Sequence, residues 1–140
     1  MPFPRDDAPR LDPHDIREAL SRIVASHPFN TSPKLTSFLR FVVESTLAGH
    51  GDRLKGYTIG VEALGRGANF DPQTDPIVRV EALRLRRALA RYYSGAGASD
   101  SVVIELPRGH YVPSFRRARR SAAAAIWLRA RGVLHWLLAA

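Results

Sequence analysis

The chain has no cysteine in its 140 residues. Disulfide staples and thiolate-bound zinc are therefore excluded, and the composition fits a reducing compartment, so a cytoplasmic location is expected. Acid is scarce relative to base: 13 Asp and Glu stand against 21 Lys and Arg, a net charge of +8. Lysine is rare within the basic set, with Lys34 and Lys55 beside 19 arginines. The opening residues MPFPRDDAPRLDP hold no apolar stretch, so no signal peptide is expected in them. An unbroken hydrophobic run is missing at the other end as well. The stretch SAAAAIWLRARGVLHWLLAA at 121–140 is mostly apolar but carries Arg129 and Arg131 near its middle. Each arginine costs about 2.5–3.5 kcal/mol at the centre of a spanning helix, whereas each Leu, Ile or Val contributes only about 0.3–0.6. Insertion across a membrane is therefore disfavoured, and a surface-associated helix, a packing segment or the remnant of a longer span is expected.

What is present is one domain's worth of chain with an uneven charge. Residues 1–32 carry four arginines and five acids, so the excess of positive charge lies beyond them. A polyanionic partner is expected, nucleic acid first and an anionic membrane face second. Residues 1–11 are Pro-rich and charged, and read as a disordered arm. A pattern of capping residue plus proline then recurs at Asp12-Pro13, Ser32-Pro33 and Asp75-Pro76, each a helix start. Apolar spacing predicts helices over 13–25, 33–48 and 54–64, and a fourth over 76–93. Gly49 is the expected stop of the second. Gly56 and Gly60 weaken the third by roughly 1 kcal/mol each, so tertiary packing must hold it, through close approach to a neighbouring helix.

In the fourth helix Val78, Ala82, Leu85, Leu89 and Tyr92 form the core stripe. Arg79, Arg86 and Arg87 fall on one flank, with Arg84 and Arg91 further round. Five arginines against one glutamate is lopsided for a solvated face, which normally mixes signs. Residues 94–100 read as a flexible connector. Val102, Ile104 and Leu106 then alternate with Val103 and Glu105, the period of a half-buried strand. Pro107-Arg108-Gly109 reads as the turn, with Tyr111, Val112 and Phe115 on the returning strand. Arg108 at that tip is suited to a narrow minor groove or a phosphate.

The segments VRVEALRLRRAL and VVIELPRGHYVPSF resemble the winged-helix output domain of OmpR/PhoB-type response regulators. LKGYTIGVEALGR, FDPQTDPIVRVEALRLR and LPRGHYVP are more closely similar to the N-terminal domain that precedes tetratricopeptide or cyclase-like modules in some bacterial regulators. The resemblance covers about residues 14–115. It implies a mainly α fold with a small β-hairpin, a winged helix-turn-helix, that binds DNA and regulates transcription. A helix at 13–25 stands where the output domain has a small antiparallel sheet. The turn before the fourth helix is long, and the chain has no receiver domain with its phospho-accepting aspartate, so phosphorelay control is not carried over.

Catalytic patterns are missing. The five histidines, His14, His27, His50, His110 and His135, are scattered with no pair at metal-ligand spacing. Gly65-Arg66-Gly67 lacks the Lys and Ser/Thr of a phosphate loop. No enzyme activity, cofactor, metal or small-molecule substrate is expected. The organisation expected is an arm at 1–11, a DNA-binding domain at 12–115 and a basic cluster with apolar tail at 116–140. The expected DNA contacts are Arg79, Arg84, Arg86, Arg87, Arg91 and Arg108 on double-stranded DNA, with a homodimer as a further candidate state. The competing expectation is an interaction module that binds an acidic protein, or an anionic membrane surface through 116–140.

Overall fold

The computed structural model describes residues 11–118. The arm ahead of Leu11 and the apolar tail from 119 onward lie outside the described residues. Helix α1, Pro13–Ala25, begins where Asp12 accepts the amide of His14 at 2.9 Å. It buries Ile16, Ala19, Leu20 and Ile23, and Leu11 packs at the core's edge. The chain then turns through the cis His27–Pro28 bond and a short 3-10 turn, Phe29–Thr31, that buries Phe29. Ser32 caps α2, Pro33–Leu47, by accepting the amide of Leu35. Phe38, Leu39, Val42 and Val43 of α2 are fully buried. Gly49 ends α2 with a positive φ of 83°, and the amides of Gly49 and His50 reach back to the carbonyls of Thr46 and Ser45. That is the paired C-terminal closure a left-handed glycine permits.

Helix α3, Gly56–Glu62, is two residues shorter at each end than its apolar spacing suggests. Its close approach is to a loop, not a helix. The ring of Phe70 lies on Gly60 so tightly that an added Cβ would sit 2.3 Å from it, and Pro72 covers Gly56. Tyr57 stacks on Phe70 and donates its hydroxyl hydrogen to the Ala68 carbonyl. Phe70 and Pro72 thus pin the long, largely exposed segment 65–76 to α3, and Arg66 bonds Asp75 at 2.9 Å across it.

Helix α4, Ile77–Ser94, starts one residue later than the cap-plus-proline pattern implies, with Pro76 at the N-cap position. Asp75 still accepts the amide of Ile77 at 3.1 Å. Val78, Ala82, Leu85, Leu89 and Tyr92 are buried as one stripe, shared with α2, α3 and the hairpin. Truncating Leu85 would remove a fully buried side chain from this junction, at about 2–5 kcal/mol.

The connector 94–100 is held against α4 at Gly97 and Asp100. Gly97 lies against the Tyr92 ring and donates its amide hydrogen to the Tyr92 carbonyl at 2.7 Å, and the Tyr92 hydroxyl donates to Asp100. Strands β1, Val102–Glu105, and β2, Ser114–Arg117, pair antiparallel, from Val102 opposite Arg117 to Glu105 opposite Ser114. The ladder closes at Glu105, so Tyr111 and Val112 lie in an eight-residue loop, 106–113, and not on a strand. Tyr111 meets the edge of Phe38 in the core, which draws this loop down against α2. Strand β2 continues two residues past 115. The described residues therefore form four α-helices with one small antiparallel hairpin. No helix among the described residues is long and apolar enough to cross a membrane.

Candidate nucleic-acid interface

The face of α4 opposite its core stripe is exposed along most of the helix. Arg79, Arg87 and Arg91 lie on it, and among the described residues none of the three has an acidic partner. Three unpaired guanidiniums on one helix face keep their full field for an external anion.

Arg84 is differently placed. Its Nη1 lies 2.9 Å from Oε1 of Glu81, one turn back, and Glu81 is only 5% exposed. The other Glu81 oxygen is buried with no hydrogen-bond partner among the described residues. A carboxylate taken out of water needs a counter-charge, so Arg84 is engaged in neutralising it.

Arg86 departs furthest from the expected set. The helical period sets it on one flank with Arg79 and Arg87, but its guanidinium turns inward to the hairpin loop. Nε donates to the Leu106 carbonyl at 3.0 Å, and Nη2 donates to those of Pro107 and His110 at 3.2 Å each. The physical reason lies in the backbone. Beyond Glu105 these carbonyls have no strand partner, and a planar five-donor fork at the border of the core stripe can satisfy several at once. Arg86 thereby holds the loop beside the exposed face of α4.

Arg108 sits on that loop, exposed, next to Gly109 with a φ of 94°. It has no acidic partner among the described residues. Arg86 and Arg108 both border an open groove of about 570 Å³ between α4 and the hairpin, with Tyr93 and Val103 on its apolar side. The Tyr93 hydroxyl accepts the Ile104 amide at 2.7 Å and so ties β1 to α4. Burial raises the pKa of both Tyr92 and Tyr93 above the ordinary tyrosine value, and the hydrogen bond to Asp100 adds to the effect at Tyr92. Both phenols stay neutral donors or acceptors at physiological pH.

Two arginines of the basic cluster belong to the fold. Arg116 bonds Glu105 at 2.9 Å, and Arg117 approaches Asp15 at 4.0 Å. The rest of the cluster lies outside the described residues. Val80 and Leu83, absent from the contacts expected from the sequence, are 50% and 46% exposed on the arginine-bearing face. The signal was available, since both positions fall opposite the stripe of Val78, Leu85 and Leu89 at the helical period. Compared with family models, with curated proteins and with solved structures, the chain matches none.

Proposed function

We propose that this chain is a sequence-specific DNA-binding domain of a bacterial transcriptional regulator, acting in the cytoplasm. In this reading the four helices and hairpin form a winged helix-turn-helix. Helix α4 enters the major groove, and loop 106–113 carries Arg108 to the minor groove or the backbone. One observation carries the reading: among the described residues Arg79, Arg87 and Arg91 stand without acidic partners on one face of α4, and Arg86 fastens the Arg108 loop beside that face. A solvated charged face would mix signs, and this one does not. Two guanidiniums of the expected six, those of Arg84 and Arg86, have internal duties, so the contact set narrows to Arg79, Arg87, Arg91 and Arg108.

The test is affinity of the full chain for duplex DNA at several salt concentrations, compared with an Arg79→Glu, Arg87→Glu variant. Both side chains are exposed and outside the core stripe, so circular dichroism should report an unchanged fold. Affinity should fall, and the slope of log K against log salt should flatten by about 0.9 for each phosphate contact removed. A folded variant with wild-type affinity and slope would favour an interaction module that uses this face for an acidic protein. Membrane binding through the tail would instead survive the double variant and vanish on removal of residues 119–140.

A further inference from the structure

We infer that Val80 and Leu83 set base specificity by packing on thymine C5-methyl groups in the major groove; the inference rests on the DNA-binding reading above. Val80, Leu83 and Tyr57 are the exposed large hydrophobic side chains among the described residues. Tyr57 is accounted for, since its ring stacks on Phe70 and its hydroxyl bonds the Ala68 carbonyl. Among the described residues Val80 and Leu83 do not pack against the core. They stand three residues apart, so they project side by side from the same helix face.

Their setting selects the occupant. Arg79 and Arg87 bracket the pair on the chain, and both are exposed without acidic partners among the described residues. An apolar pair inside an unpaired cationic face suits a surface that is anionic at its rim and apolar at its centre. The major groove has that chemistry, because phosphates line its edges and the thymine methyl is the apolar group on its floor. A second copy of the chain suits it poorly. Packing α4 on α4 about a two-fold axis would set arginine against arginine, and like charges oppose association. Valine and leucine offer no donor or acceptor, so they discriminate by the methyl contact and by rejecting polar edges that they would leave unpaired. A·T pairs are therefore favoured where the N-terminal half of α4's exposed face meets the groove.

The experiment uses the full chain to select duplexes from a random pool. Each thymine of a selected duplex is then replaced by deoxyuridine, which lacks the C5-methyl. One or two replacements should weaken wild-type binding about fourfold each, the worth of burying one methyl-sized group. The same replacements should leave the affinity of a Val80→Ala, Leu83→Ala variant unchanged, with circular dichroism as the folding control. Wild-type binding that ignores every replacement overturns the inference and leaves DNA binding in place, and the DNA-side comparison needs no variant. A uracil penalty that persists in the folded variant overturns the assignment to these two residues. Failure to bind any duplex overturns both this inference and the reading beneath it. A dimer that the variant alone loses, at wild-type DNA affinity, overturns it in favour of a second copy.

Discussion

Arg86 and Arg108 are both arginines near the hairpin loop, yet they meet different surroundings, and substitution should separate them. Arg86 donates three hydrogen bonds to loop carbonyls that no strand satisfies, whereas Arg108 is exposed on the same loop. Arg108→Ala should weaken duplex binding by about 1–3 kcal/mol and leave the melting temperature nearly unchanged. Arg86→Ala should lower thermal stability by about 1–3 kcal/mol, because the carbonyls lose their donors. It should also weaken binding indirectly, since the loop carrying Arg108 loses its anchor. Thermal unfolding and binding titrations on the two variants check the contrast. Equal melting temperatures for both would mean that the Arg86 contacts do not stabilise the loop.

At the scale of elements, α3 is the least self-sufficient. Seven residues with Gly56 and Gly60 among them are too few for an isolated helix in water. Its stability comes from Phe70 on Gly60, from buried Ile59, and from the Ser37 hydroxyl, which donates to the Ala63 carbonyl at 2.7 Å. Two effects compete when Gly60 becomes alanine. Helix propensity favours the change by about 1 kcal/mol. The new Cβ would lie 2.3–2.8 Å from three atoms of the Phe70 ring, and overpacking of that kind costs about 1–3 kcal/mol. Overpacking should win, so Gly60→Ala is expected to destabilise in urea titration. Adding Phe70→Leu should recover part of the loss. Stabilisation by Gly60→Ala alone would show that segment 65–76 gives way readily.

For the whole molecule, one cluster ties α1, α4 and the hairpin connector together. The buried Tyr92 hydroxyl donates to Asp100, and Arg22 of α1 approaches the same carboxylate at 3.6 Å. Burial first, and then this hydrogen bond, raise the folded-state pKa of Tyr92 above its ordinary value. The unfolded chain releases a tyrosine proton near pH 10, and the folded chain only at higher pH. The contribution is therefore fully present below about pH 10, where both states hold the proton, and is lost as pH rises through the folded value. Urea midpoints measured from pH 8 to 11.5 should fall on the alkaline side, and Tyr92→Phe should make the decline shallower. Tyr93, shifted upward by burial in the same direction, should keep some slope in the variant. An equally steep decline without the Tyr92 hydroxyl would remove this cluster as its cause.

Local chemistry made much of the architecture readable from the sequence. Asp12-Pro13 and Ser32-Pro33 start their helices because a capping side chain and a pre-set φ act within three residues. Val78, Leu85 and Leu89 lie in the core because a period of 3.6 residues places them on one side. Local signals could not tell which arginines are free. Arg86 meets carbonyls 20 to 24 residues away, and Arg116 meets Glu105, 11 residues away across the ladder. Nor could they show that Phe70 fills the space over Gly60 or that Tyr111 leaves the strand to meet Phe38. Helical period and capping depend on neighbours in the chain, whereas the engagement of a guanidinium or a ring depends on which distant backbone folding brings within reach.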